Sequence, residues 1–347
     1  MTRLAAALIT LAVLLAACGE KAEPGPGSAA PAPQKLRLVL DYFPNADHAG
    51  IYAAQATGEF RRAGLDVQIT APPDPSAPLK LLRAGRADLV LSYEPELLLA
   101  RDKGARNLVS VGALVQKPLT SVIALPAGGI RSARDLAGKR VGTAGIGYQS
   151  AYLRTILQKA GVDPRSVKET NVGFDFVRPL VSGRVDATLG AFWNYEGVDL
   201  ERRGKRPVIL RMDELGVPTY DELVFVARTD DLDRDGASRV RRFLQAVARG
   251  QRALERDQST GVDALLKASS GLDRGLQTAA VKATLPVFFP KGGEHTFGWQ
   301  DPAAWDAYGR WMQANRLVTR PPNAAAALTN EFLPGEGLDP GVSGRDD

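Results

Sequence analysis

One short pattern occurs twice and sets the architecture. Leu82-Arg83-Ala84-Gly85-Arg86-Ala87-Asp88 and Leu180-Val181-Ser182-Gly183-Arg184-Val185-Asp186 each end a helix on glycine, add a basic residue, and put aspartate at the head of an apolar strand. The copies lie about 98 residues apart. Each strand runs into an aromatic and glutamate cluster, Tyr93-Glu94 in the first and Trp193-Asn194-Tyr195-Glu196 in the second. One copy would mean little. Two with the same sequel predict two similar α/β units whose strand ends face a shared cleft, where open α/β sheets collect ligands.

The periodicity elsewhere agrees. Residues 35–41 alternate as a strand, 50–60 carry an apolar helical side through Tyr52, Ala53, Ala56 and Phe60, and 65–69 form a second strand. Segments 78–84 and 96–103 read as helices, 87–91 and 108–111 as strands. The rhythm restarts with strands at 121–125 and 140–143, a helix at 151–159, an extended 167–170, a helix at 176–181 and a strand at 187–189. After a last apolar strand at 223–227 the chain is mostly helical, through 237–256, 262–269, 273–284 and 302–314. Short apolar strands alternating with helices predict parallel sheets.

The N-terminus is built for export. Arg3 precedes an apolar run too short to span a bilayer, and small residues lead to Cys18, the single cysteine. Residues 1–17 therefore read as a signal peptide. Leu15-Ala16-Ala17-Cys18 resembles a bacterial lipobox, which implies lipidation at Cys18 and durable anchoring by several acyl chains. Residues 18–34, rich in Gly, Pro, Ala and Ser, suit a flexible tether, and 334–347 a flexible tail. This places the body in the cell envelope, on the outer side of the cytoplasmic membrane or in the periplasm.

With one cysteine, no intrachain disulfide is available, so stability must come from packing. The net charge of +5 is spread among mixed charges. Basic runs at 201–206 and 239–242 lack the interleaved aromatics of a nucleic-acid surface and read as solvated faces. His48 and His295 are the only histidines, and neither has metal-ligand spacing around it. No nucleophile elbow, phosphate loop or zinc-protease helix occurs. The glycines of Gly142-Thr143-Ala144-Gly145-Ile146-Gly147 lack dinucleotide spacing; a tight loop that lets a flat ligand approach the backbone fits them better.

Candidate contacts therefore sit at strand ends. They are Asp41, Tyr42, Asn45 and His48 after the first strand, Tyr93 and Glu94 after the third, Gly145, Tyr148 and Gln149 on the glycine loop, and Trp193, Tyr195 and Glu196 after the later strand. Loops so aromatic bury apolar surface poorly unless they pack a partner or line a cavity. Such a pocket would sandwich a flat ring, with Glu196 pairing an amino and ring-nitrogen edge and Asp41, Asn45 and His48 orienting polar substituents. Asp47 reads equally well as a cap for the following helix.

At these residues the chain resembles the solute-binding proteins of ABC importers in the NMT1/THI5-like group, which bind thiamine pyrimidine precursors. The matching landmarks are Asp41-Tyr42-Phe43-Pro44-Asn45-Ala46-Asp47-His48, Ala56-Thr57-Gly58-Glu59-Phe60, Ser92-Tyr93-Glu94-Pro95, Gly145-Ile146-Gly147-Tyr148 and Trp193-Asn194-Tyr195-Glu196. The resemblance implies a bilobal periplasmic-binding fold with crossings near 120–121 and 221–223. Lobe one would take 35–120 and 222–333, and lobe two 121–221. It also implies a monomer that closes on a small heterocycle and presents the closed form to an ABC permease with its ATPase, using no cofactor and changing no bond. A formylaminopyrimidine-like ligand leads. Riboflavin or another flavin, and an alkyl sulfonate or different heterocycle, stay open, since Tyr42 stands where pyrimidine binders often carry tryptophan. A sensing receptor and a pyrimidine synthase are the other classes; yeast members of the latter kind use pyridoxal phosphate, iron and a cysteine-rich motif that this chain lacks.

Overall fold

A computed structural model describes residues 32–289 and 295–335. The signal peptide, Cys18, most of the tether and all but the first two residues of the tail lie outside the described residues.

Among the described residues, ten strands form two sheets with one plan. They are β1 (Gln34–Val39), β2 (Leu65–Thr70), β3 (Leu89–Ser92), β4 (Leu108–Val115), β5 (Thr120–Ala124), β6 (Arg140–Thr143), β7 (Lys168–Asn171), β8 (Ala187–Phe192), β9 (Val208–Arg211) and β10 (Leu223–Arg228). The first sheet has the order β2-β1-β3-β10-β4 and the second β7-β6-β8-β5-β9. β1 runs parallel to β2 and β3, as β6 does to β7 and β8. The sheets are not wholly parallel, as the strand–helix rhythm predicted. β10 and β5 lie antiparallel to both of their neighbours. Each is the first strand laid down after the chain crosses from the other sheet, so it enters from the opposite end.

The repeated motif has the same physical role in both sheets. Gly85 and Gly183 adopt φ of +67° and +71°, which side-chain-bearing residues seldom tolerate, and this turns the chain sharply out of its helix. Asp88 then accepts the Arg37 backbone N–H at 2.7 Å and clasps its guanidinium at 2.8 and 3.1 Å. Asp186 holds Arg140 in the same way, at 2.8, 2.7 and 3.0 Å. Each aspartate thus pins the register of the third strand of its unit against the first. β3 and β4 are buried along their whole length, as expected for strands covered on both faces.

Several boundaries moved. The expected 50–60 helix is two, Ala49–Ala56 and Glu59–Arg62, broken at the Thr57-Gly58 turn. The helix expected at 96–103 begins at Glu94, because Tyr93 is extended and Pro95 suits a first helical turn. The helix expected from 151 begins at Gly147, which puts Tyr148 and Gln149 in its first turn and not on a loop. β8 continues three residues beyond the expected 189 and then winds into a π-helical turn, Trp193–Gly197. β9 was missed, being short, half-buried and next to a basic run.

Two segments cross between the sheets, β4 to β5 and β9 to β10, and Glu222 ties them together. Its buried carboxylate accepts the backbone N–H groups of Leu119 (2.6 Å) and Thr120 (2.8 Å), the Thr120 hydroxyl (2.9 Å) and the Tyr220 hydroxyl (3.1 Å). Glu222→Ala leaves two buried backbone donors unpaired, an expected loss of about 2–4 kcal/mol. Thermal unfolding checks this: a melting temperature unchanged from the parent chain would show that the tie contributes nothing.

Candidate functional site

The carboxyl ends of six strands, β1–β3 and β6–β8, meet at one cleft between the sheets. Asp41, Tyr42 and Asn45 follow β1, Pro75 follows β2, and Tyr93 follows β3. From the second sheet come Ala144, Ile146 and Gln149 after β6, Phe174 and Phe176 after β7, and Phe192, Tyr195 and Glu196 at the end of β8. The free space among them is about 370 Å³, including the part open to solvent.

Asp41 is held rigidly at one side. The His48 Nδ1 accepts the Asn45 backbone N–H at 3.2 Å, so Nε2 carries the ring proton and donates to Asp41 Oδ1 at 2.9 Å. The Tyr93 hydroxyl donates to the other carboxylate oxygen at 2.8 Å. Asn45 caps the short turn that carries His48, accepting from the Asp47 N–H at 2.8 Å. This overturns the reading of Asp47 as the cap; its carboxyl instead reaches the Asn194 amide at 2.6 Å.

Glu196 stands opposite. The π-helical turn folds its side chain back so that Oε2 accepts the Phe192 N–H at 2.7 Å. Oε1 lies 3.3 Å from the Tyr42 hydroxyl. That hydroxyl donates its one proton to the Phe174 carbonyl, so its oxygen is left to accept from Glu196. Burial pushes the Glu196 carboxyl up to about 8, only partly offset by the Phe192 N–H, so at neutral pH it is mostly protonated and supplies that donor. The Tyr42 ring stands edge-on to Phe174, 4.7 Å between centroids at 87°.

Residues 45–259 match the NMT1/THI5 like family. The chain belongs to that family. It is 31% identical over 299 residues to the formylaminopyrimidine-binding protein of Halalkalibacterium halodurans, covering 86% of this chain and 90% of the relative. A protein of Haemophilus influenzae named as a putative thiamine biosynthesis protein is 34% identical over 290 residues, with 83% and 90% covered. The 4-amino-5-hydroxymethyl-2-methylpyrimidine phosphate synthase of Legionella pneumophila is 27% identical over 86% of this chain and 92% of its own. Among solved structures, the alkanesulfonate-binding protein SsuA of Xanthomonas axonopodis pv. citri superposes with a TM-score of 0.65 at 22% identity, covering 87% of this chain and 99% of SsuA. The fold is the two-lobed α/β periplasmic-binding architecture.

Seven of the twelve residues singled out from the sequence line the cleft: Asp41, Tyr42, Asn45, Tyr93, Gln149, Tyr195 and Glu196. The other five do not reach its surface. His48 is buried behind Asp41, which it orients. Glu94, drawn into its helix, turns to the second crossing and accepts the Asp221 N–H at 2.7 Å. Tyr148 is buried between Tyr93 and Tyr152, 5.4 and 5.3 Å away. Trp193 donates to the Pro118 carbonyl at 3.2 Å and stacks under Arg211 at 4.4 Å. Gly145 lies outside the lining, though its neighbours Ala144 and Ile146 belong to it. Gln149 holds the Ala144 N–H at 2.7 Å and lies across Gly190, where any Cβ would sit 2.3 Å from its amide.

Pro75, Phe174, Phe176, Gly190 and Phe192 were missed, along with Ala144 and Ile146. A signal for two of them existed. Gly173-Phe174-Asp175-Phe176 follows a strand, like the other aromatic loops, but Phe176 was assigned to a helix.

Burial raises several carboxyls at once: Asp47 to about 6, Asp221 and Glu222 to about 7, and Glu196 to about 8. In the unfolded chain such groups titrate near 4. Between these values the native state holds protons that the unfolded chain has released, so stability falls as pH rises from about 4 to 8. The melting temperature at pH 5 should therefore exceed that at pH 8 by roughly 5 °C or more. A rise with pH across that window would contradict the assignment.

Proposed function

We propose that the cleft binds a single-ring amino-substituted pyrimidine of the thiamine-precursor class, as an extracytoplasmic binding protein that hands its ligand to an ABC importer. The observation that carries this is the buried Glu196 carboxyl, pushed up to about 8 by burial, lining an aromatic cleft. A neutral carboxyl offers one donor and one acceptor side by side. An aminopyrimidine edge offers the complement, a ring nitrogen that accepts and an exocyclic amine that donates, and in a mostly dry cleft such paired bonds are strong and directional. The donor now directed at Tyr42 would turn to the ring nitrogen. Tyr42, Phe174, Phe176 and Tyr195 would supply ring faces, and Asp41, held by His48 and Tyr93, would accept from a polar substituent.

The names of the Halalkalibacterium and Haemophilus relatives favour a thiamine precursor over riboflavin, which none of the relatives above is named for. The synthase name of the Legionella relative supports an enzymatic reading. Against it stands the single cysteine, Cys18, where the resemblance to the yeast synthases implies a cysteine-rich motif. The signal peptide, Cys18 anchor, envelope location and monomeric state belong to this proposal and rest on the sequence.

Titration calorimetry with formylaminopyrimidine tests the assignment. Binding by the parent chain is expected, and Glu196→Ala should weaken it by about 1–3 kcal/mol because it removes both the donor and the acceptor, whereas Glu196→Gln keeps one of each and should bind nearly as the parent does. Equal affinity in a folded Glu196→Ala chain would remove Glu196 from the role, and failure to bind the pyrimidine alongside tight binding of riboflavin would reverse the ligand assignment.

A further inference from the structure

Beside the cleft, and not among its lining residues, a buried polar contact joins the lobes, alongside those of Gln277 with Tyr195 and Tyr152 with Tyr308. Asp47 sits on the turn after β1, in the first lobe, and Asn194 on the π-helical turn after β8, in the second. Both are buried, 1% and 0% exposed, as is Thr284 of the Arg274–Phe288 helix that packs on both turns. The Asn194 amide uses both protons, one to Asp47 Oδ1 at 2.6 Å and one to the Thr284 hydroxyl oxygen at 2.7 Å. The Thr284 hydroxyl gives its own proton to the Ala280 carbonyl at 2.7 Å. Two acceptors are then left without partners, Asp47 Oδ2 and Asn194 Oδ1, one on each member of the pair.

Two orphaned oxygens on adjoining groups are costly in a buried site. A single proton on Asp47 resolves both, because the acid O–H becomes the donor that the amide oxygen lacks. We propose that Asp47 and Asn194 form a proton-dependent latch that holds the two lobes shut without touching ligand. The pair becomes a cyclic acid–amide dimer when protonated. When Asp47 ionises, a buried charge faces an amide oxygen across the lobe boundary, and the closed form loses its advantage.

The surroundings favour the protonated form. Burial is the main influence on Asp47; the Asp41 carboxyl opposes its charge, while His48 and the hydrogen bonds from Asn194 and Thr284 favour it. Tyr195 lies close enough across the boundary to feel the same charge. The Arg274–Phe288 helix presents Thr284 to Asp47. The neighbouring Gln258–Ala268 helix turns Gly261 and Val262 inward and keeps Asp263 and Lys267 exposed. Opening the lobes returns Asp47 to water and a value near 4, so closure takes up a proton and weakens as pH rises from about 4 to 7.

The test needs no ligand, so its outcome is independent of the pyrimidine assignment. Fluorophores on the exposed positions Arg61→Cys and Arg165→Cys, in a Cys18→Ser chain, report the distance between lobes in the ligand-free protein. The closed-to-open ratio should fall about tenfold between pH 4.5 and 7.5. Asp47→Asn mimics the protonated acid, offering an acceptor and a donor in the same places, and should stay closed with that pH dependence removed. Asp47→Ala and Asn194→Ala should be open across the range. The proposal is overturned if Asp47→Asn keeps the parent pH profile, or if it is as open as the alanine variants at pH 4.5. Should Asp47→Ala fail to fold, Asn194→Ala carries the same comparison from the other lobe.

Discussion

Each sheet accepts one strand delivered from the other, and that exchange positions everything else. β5 and β10 enter antiparallel beside β8 and β3, while β1–β3 and β6–β8 turn their carboxyl ends to the same cleft. Loops at those ends gain nothing from packing on their own sheet, so their aromatic side chains bury surface by meeting across the gap. Glu222 keeps the two crossings together with four accepted hydrogen bonds.

Buried carboxyls supply the chemistry of the cleft, and their differing partners divide the work. Asp41 accepts from His48 and Tyr93, so it is fixed and acceptor-only when ionised. Glu196 faces a tyrosine whose proton is already committed, and burial keeps it protonated near neutral pH. Under the proposed function, one acid would accept from donors and the other would face a paired acceptor and donor. An amino-substituted heterocycle satisfies both, whereas a sulfonate would meet two oxygen acids with no cation in the described lining.

Much of this was legible in the sequence because the signals were local. The doubled Gly-Arg-x-Asp pattern revealed two related units, and its structural cause is the aspartate clasp on Arg37 and Arg140. The aromatic strand ends gave Tyr42, Tyr93, Tyr195 and Glu196. What failed depended on backbone geometry over longer distances. Pro95 started a helix early and carried Glu94 away to Asp221, and the π-helical turn after β8 swung Trp193 outward to Pro118 while folding Glu196 inward. The antiparallel placement of β5 and β10 is set by the crossings, which strand-by-strand periodicity does not encode. Asp47 was read as a cap because its partner, Asn194, lies 147 positions away in sequence.

Native mass spectrometry of the protein purified without refolding addresses the central assignment most directly, because it weighs whatever the closed cleft has retained. A bound mass matching a single-ring aminopyrimidine, lost on unfolding, is the expected result. A retained flavin, giving a yellow preparation, or a covalently attached aldehyde cofactor would contradict it.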